Sequence, residues 1–304
     1  MSNLNYFRPA RPARSVIGVI AGLILCAASS TYAAVDVVTT IRPLAFIAQA
    51  IVGQHGQAQS IMDAQDSPHH FTLTPSDRLQ VADSEMMVWV GPILETELAD
   101  FLFDQERSRT VIRAAGLPTM TISSLASGET DPHIWLSPDN ATVIARAISE
   151  ELSALQPELA ADFEANLQNF VAAVEAATAM HRDELQGLST RSFMVYHDAY
   201  QYFEEYFSLR HSLALVDNPE VEPGMRALLS KREQIADLQP DCLLLEPDAR
   251  EPLVATLIPD RSNLRVVTID PLGYGIAISA AAYPELIESV AGAFTGCLSP
   301  AEMN

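Results

Sequence analysis

The chain has 304 residues, 48% of them apolar, and a formal net charge of −21. A surface this acidic repels nucleic acid and anionic membranes, which excludes both as partners and leaves a cation as a favoured ligand. The length and the apolar content favour about two domains, each with its own buried core.

The first 33 residues have the composition of a secretory signal peptide. Residues 1–33 contain three arginines and no acidic residue, and the arginines precede the apolar run "SVIGVIAGLILCAA" and the small-residue stretch "SSTYAA". This order predicts export, with cleavage after Ala33 or Ala34. An apolar run of about 14 residues is too short to span a bilayer comfortably, which favours a leader over a membrane anchor. We therefore expect the mature protein outside the cytoplasm.

Short apolar runs alternate with helical patterns in both halves of the remaining chain. Strands are predicted at 35–40, 86–91, 193–196, 242–246 and 265–269. Helical patterns follow the first two strands at 44–52 and 93–103. Strands that alternate with helices predict parallel sheets, so the expected fold class is α/β. The two groups of strands predict an amino-terminal lobe at 34–156 and a carboxy-terminal lobe at 189–304.

A long helix is predicted between the lobes, at residues 157–188. Its apolar side chains recur at helical spacing, at positions 159, 163, 167, 170, 174, 177 and 185. Pro157 suits a first helical turn and Gly187 suits a carboxy-terminal cap. A helix of about 30 residues is roughly 45 Å long, which predicts a rigid connector between the two lobes.

Three of the seven histidines occupy similar places, after predicted strands or just before predicted helices. His69 precedes the helix start "TPSD", and His133 precedes a helix that opens at Ser137. His197 directly follows a strand, with Asp198 placed to cap the next helix. Ligands of open parallel sheets bind beyond the carboxyl ends of the strands, so these positions favour a metal site. A lone loop histidine is usually structural, and the spacing alone leaves the question undecided.

Two cysteines remain outside the leader, Cys242 and Cys297. In an exported chain such a pair favours one disulfide over two buried free thiols. It would close a loop of about 55 residues and stabilise the fold by on the order of 4 kcal/mol. The chain has no CxxC pair, so we do not expect a thiolate metal site.

Six segments together resemble the ZnuA-like, zinc-binding members of the metal-specific periplasmic solute-binding proteins of ABC importers. In chain order they are "SPHHFTLTPSD", "ADSEMMVWVGP", "DPHIWLSPDN", "FMVYHDAYQYFEEYF", "LLLEPDARE" and "TIDPLG". The resemblance runs from about residue 35 to the carboxy terminus. It implies two α/β lobes joined by one long helix, with Zn²⁺ held in the cleft between them. It also implies a periplasmic protein that delivers Zn²⁺ to a membrane permease driven by a separate ATPase.

The resemblance assigns the metal ligands residue by residue. His69, His133 and His197 match the ligand histidines, whereas His70 matches a more variable neighbouring position. Asp270 of "TIDPLG" matches a carboxylate ligand of relatives, a place that water can take in zinc-specific members. The two remaining cysteines fall where zinc-uptake members commonly carry a disulfide. One departure is that no histidine-rich loop precedes His133.

Three other functions would fit parts of the same sequence pattern. Manganese-binding relatives have a carboxylate at the position of His197, and three imidazoles favour zinc over manganese or iron. A zinc-dependent hydrolase would need a general base, for which Glu204, Glu205 and Glu222 are candidates, but no HExxH pattern is present. An exported adhesion protein with the same fold is the third alternative. We expect a monomer that is not an enzyme.

Overall fold

The computed structural model describes residues 1–2, 34–63, 66–125, 127–216, 223–261 and 263–300. Apart from residues 1–2, the predicted signal peptide lies outside the described residues. All helices and strands given below belong to one compact unit, Ala33–Asn304. Within the described ranges, no helix is both long enough and apolar enough to cross a membrane.

The first lobe contains a four-stranded parallel sheet with the strand order β2-β1-β3-β4. Its strands are β1 (Val35–Thr39), β2 (Gly56–Ser60), β3 (Met86–Trp89) and β4 (Thr110–Arg113). Its helices are α1 (Arg42–Val52), α2 (Pro75–Asp83), α3 (Ala99–Gln105) and α4 (Pro138–Leu155). Every residue of β3 is buried, as expected for a parallel strand that is covered on both faces.

The second lobe has the same arrangement, with the strand order β6-β5-β7-β8, again parallel throughout. Its strands are β5 (Phe193–His197), β6 (Leu213–Val216), β7 (Cys242–Leu245) and β8 (Arg265–Thr268). Its helices are α6 (Gln201–Phe207), α7 (Met225–Leu238), α8 (Glu251–Leu257) and α9 (Ala282–Leu298). The predicted α/β class with two parallel sheets is therefore confirmed.

The long helix is α5 (Ala160–Gly187), 28 residues that follow a 3-10 turn at Pro157–Leu159. One face is buried through a stripe of apolar side chains that includes Phe163, Phe170 and Leu185. This helix contacts α1 and α4 of the first lobe and α6 and α9 of the second. It ends with Leu188 as its cap, at φ −100°, so the left-handed cap that Gly187 could supply is not used.

The helix starts show which capping predictions hold. The Thr74 side chain caps α2 in a capping box with Asp77, and the Ser137 hydroxyl accepts the backbone N–H of Asn140 at the start of α4. The predicted cap of α6 by Asp198 is wrong, because no side chain caps that helix. Instead, both carboxylate oxygens of Asp198 accept bonds from the side-chain amide of Gln201, at 3.0 Å each.

A disulfide joins Cys242, the first residue of β7, to Cys297 in α9, with 5.6 Å between the two Cα atoms. Both cysteines are buried. The disulfide fixes the last helix to the sheet of the second lobe, while α9 also packs against α1 and α5. The preference for one disulfide over two free thiols is confirmed.

Candidate metal centre

The structure brings together the three histidines that the sequence predicts as ligands. One nitrogen each of His69, His133 and His197 lies within 4.8 Å of the others. The Nε2 atoms of His133 and His197 are 3.2 Å apart. Two imidazole nitrogens bound to one tetrahedral Zn²⁺ at about 2.05 Å lie about 3.3 Å apart, so this spacing already suits a shared metal ion.

Each histidine is positioned by a different local structure. His197 is the last residue of β5, and Glu246 follows β7, the neighbouring strand in the sheet. In a doubly wound parallel sheet, ligands bind at the point where the strand order reverses, and in this sheet that point lies between β5 and β7. His133 precedes the 3-10 turn Ile134–Leu136 that leads into α4, and His69 lies in a turn closed by a bond from the His70 N–H to the Ser67 carbonyl.

Two buried carboxylates fix the orientation of two of the rings. The Nδ1 atom of His133 is 2.7 Å from Asp131, and the Nδ1 atom of His197 is 2.7 Å from Glu246. A Nδ1–H that donates to a carboxylate leaves the lone pair on Nε2, which is the usual second-shell arrangement of a zinc-binding histidine. The Tyr200 hydroxyl donates to the other oxygen of Glu246, at 2.9 Å, and holds that carboxylate in turn. Two lone pairs that face each other at 3.2 Å require a cation or a proton between them.

The two histidines differ in their electrostatics. Burial lowers the pKa of His133 to about 3, so this ring stays neutral over the physiological range. Burial also lowers the pKa of His197, but the charge and the hydrogen bond of Glu246 outweigh it and raise the pKa overall. Burial raises the pKa of Asp131 to about 7. In the metal-free protein the proton between the two rings therefore belongs to His197.

Asp270 lies in the same cavity, which has a volume of about 280 Å³ and is also lined by the three histidines. Among the described residues, its carboxylate is not one of the groups within 4.8 Å of the histidine nitrogens. Its oxygens accept the backbone N–H groups of Leu272, Gly273 and Tyr274 at 2.7–3.0 Å. Gly273 has a φ of 66°, which permits this tight turn. Because a carboxylate offers about four acceptor positions, a ligand role for Asp270 stays a prediction.

His70 points away from this group. Its side chain is 60% exposed, and its Nδ1 is 3.4 Å from Glu97. Only the first member of the "HH" pair therefore lines the cavity.

Two of the three candidate bases of a hydrolase lie elsewhere. Glu204 and Glu205 line a different cavity, and Glu222 lies outside the described residues. Asp131 and Glu246 were not among the predicted site residues, although both occur in motifs quoted above. Asp131 opens "DPHIW", two residues before a ligand histidine, and Glu246 follows the apolar strand "CLLL". The carboxylate two residues before His133 was a usable signal for the partner of that histidine, whereas nothing local in the sequence places Glu246 beside His197.

Comparisons with known proteins agree over nearly the whole chain. The profile of the family described as "Zinc-uptake complex component A periplasmic" (ZnuA) matches residues 37–297. The high-affinity zinc uptake system protein ZnuA of Yersinia pestis is 30% identical over 308 residues, covering 92% of this chain and 96% of that protein. The protein of the same name from Haemophilus ducreyi is 29% identical over 297 residues, covering 89% of this chain and 95% of that protein. The periplasmic zinc-binding protein TroA from Treponema pallidum has a similar fold, with a TM-score of 0.77 at 19% identity over 88% of this chain and 100% of that one.

Proposed function

This chain belongs to the ZnuA family, whose members capture zinc in the periplasm for an ABC-type importer, and we propose that His69, His133 and His197 bind the captured ion. The observation that carries this assignment is the pair of Nε2 atoms 3.2 Å apart, each on a ring whose Nδ1 faces a buried carboxylate. A neutral imidazole set of this kind favours Zn²⁺ over Mn²⁺. Asp270 or a water molecule completes a near-tetrahedral site.

The rest of the transport cycle follows from this role. Residues 1–33 direct export and are cleaved, and the mature monomer gives its Zn²⁺ to a membrane permease. A separate ATPase drives that permease, since this chain has no GxxxxGK[ST] pattern. The carrier role is preferred to an enzymatic one, because Glu204 and Glu205, two of the three glutamates considered as catalytic bases, line another cavity.

Competitive metal titration tests this function. Chelator-stripped protein should bind one Zn²⁺ tightly and Mn²⁺ weakly, and His69→Ala should lose most of the zinc affinity, since one imidazole ligand is then missing. Calorimetry with a competing chelator measures the affinities of the wild type and of His69→Ala for Zn²⁺ and for Mn²⁺. Tight Mn²⁺ binding, or zinc binding unaffected by His69→Ala, would contradict the proposed metal or the proposed ligand set.

We expect zinc affinity to fall with pH from a point above 6.5. The pKa of His197 is raised above its ordinary value of 6.5, and Zn²⁺ binds only the neutral ring, so a proton competes as the pH falls through that raised pKa. His133 adds no competition until about pH 3. Calorimetry in buffers of different ionisation enthalpy should detect the released proton.

Glu246→Gln is the matched control for this pH dependence. It keeps the shape of the side chain but removes the charge that raises the pKa of His197, so the loss of affinity should move to lower pH. Equal affinities between about pH 5.5 and 8 in the wild type would show that no histidine proton is displaced.

A further inference from the structure

Helix α2 of the first lobe and helix α7 of the second occupy equivalent places in their lobes. Each follows the outer strand of its sheet, β2 or β6, and each leads to the strand on the far side of the central one, β3 or β7. Each helix ends just before that next strand begins, at Asp83 before Met86 and at Leu238 before Cys242. Both helices therefore run antiparallel to the strands, and their first turns lie at the carboxyl edge of the sheets, where the metal centre also lies.

Both helices expose large apolar side chains. Leu79 of α2 is 63% exposed, and Met225 and Leu229 of α7 are 71% and 53% exposed. Among the described residues after position 33, these are three of the four most exposed large apolar side chains. Met225 and Leu229 are four positions apart, so they form a stripe on one face of α7. The core does not use this stripe, since α2 buries a single side chain and α7 buries none.

Arginines accompany these apolar side chains on both helices. Arg78 precedes Leu79, and its guanidinium lies 4.7 Å from the centre of the Phe101 ring. Arg226 and Arg232 of α7 are exposed, and no acidic residue of that helix is three or four positions from either of them. The whole chain has 18 basic and 39 acidic residues, so such a concentration of arginine contrasts with the rest of the surface. A partner that presents carboxylates is repelled elsewhere and attracted here.

We propose that α2 and α7 form the surface that docks on the permease, an inference that rests on the proposed function. The partner surface is then a pair of equivalent patches, one for each lobe, with carboxylates beside apolar side chains. Methionine and arginine are enriched in the interfaces of protein complexes, which suits this surface. Because the first turns of both helices lie at the edge of the sheets that holds the metal centre, docking there brings the ion to the permease. An anionic membrane fits less well, since the net charge of −21 repels it.

The test measures the ATPase activity of the permease and its ATPase, taken from the same genome and placed in lipid vesicles, against the concentration of zinc-loaded carrier. The double variant Arg226→Glu/Arg232→Glu should need about tenfold more carrier for half-maximal activity, because it places two negative charges opposite carboxylates. Leu79→Ser should need about fivefold more, because an apolar contact is lost. The maximal activity should not change. Calorimetry should find the zinc affinity of both variants within about twofold of the wild type, which also shows that they are folded.

Met180→Ser and Arg107→Glu are the matched controls and should behave as the wild type. Met180 is 64% exposed on α5, and the exposed Arg107 lies just before β4, at the opposite edge of the first sheet. Docking variants that activate the importer like the wild type would overturn the docking surface and leave the transport role intact. A wild type that binds zinc but never activates the importer would overturn the transport role itself. Binding to anionic vesicles without permease, lost in the α7 variant, would assign α7 to the membrane and also overturn the proposal.

Discussion

Replacing His133 by alanine should weaken zinc binding on the order of a hundredfold or more. Protein zinc sites with four ligands bind the ion with roughly 10–16 kcal/mol, so one ligand contributes about 3 kcal/mol. Since about 1.4 kcal/mol corresponds to a tenfold change, the loss of one imidazole exceeds two orders of magnitude. His133 is the most direct choice, because its ring is neutral at physiological pH and binds without displacing a proton of its own.

His70→Ala is the matched control for this experiment. The replaced residue, His70, follows the proposed ligand His69 in the sequence, but the His70 side chain is 60% exposed and faces Glu97. Its zinc affinity should stay within about twofold of the wild type. Competition with a chelator of known affinity measures the zinc affinity of the wild type, His133→Ala and His70→Ala under the same conditions. An equal loss in both variants would mean that His70 contributes to zinc binding as much as His133 does.

The three proposed zinc ligands come from both lobes, His69 and His133 from the first and His197 from the second, so we expect zinc binding to depend on contacts between the lobes. The indole N–H of Trp135 donates to the Pro271 carbonyl at 2.8 Å, directly beside the cavity. The Tyr202 hydroxyl donates to the Asp131 carbonyl at 2.9 Å and accepts the Ser123 N–H. These bonds join the segment that carries His133 to the second lobe. Together with α5, they favour small movements of the lobes over a wide hinge closure when zinc binds.

Local chemistry made part of the fold predictable from the sequence. Apolar runs such as "MMVW" identify buried parallel strands. Thr74 and Ser137 mark helix starts because each side-chain hydroxyl accepts a hydrogen bond from a backbone N–H in the first turn of its helix. The predictions omitted β4 and β6, although β3, β7 and β8, which also have four residues each, were predicted. They also gave no bounds for β2, whose sequence "GQAQS" has no apolar alternation.

The candidate site shows the same division between local and tertiary information. His69, His133 and His197 were predictable because short motifs surround each of them. The carboxylate partner of His197 was not predictable, since the Glu246 side chain meets His197 only after β5 and β7 pair. Asp198 failed as a helix cap for the same reason: its surroundings include His211, which follows 13 residues later and approaches only through the fold.

Removing the disulfide should lower the free energy of unfolding by about 4 kcal/mol. The crosslink closes a loop of 55 residues. In the chain-entropy model, its loss raises the conformational entropy of the unfolded chain and so lowers the free energy of unfolding by this amount. The double replacement Cys242→Ala and Cys297→Ala removes the bond, and alanine leaves no polar group at either buried position. Urea unfolding in the presence of a chelator measures the change, because bound Zn²⁺ would otherwise add its own stabilisation.

Zinc affinity should be almost unchanged in the same double variant. Cys242 is the first residue of β7, while Glu246 follows the last residue of that strand, so the disulfide and the metal centre lie at opposite ends of the sheet. Wild-type protein treated with a reductant should lose the same stability as the variant. A loss below about 1 kcal/mol would mean that residual structure already restrains this segment in the unfolded ensemble. A large loss of zinc affinity would show instead that the second sheet cannot hold His197 in place without the crosslink to α9.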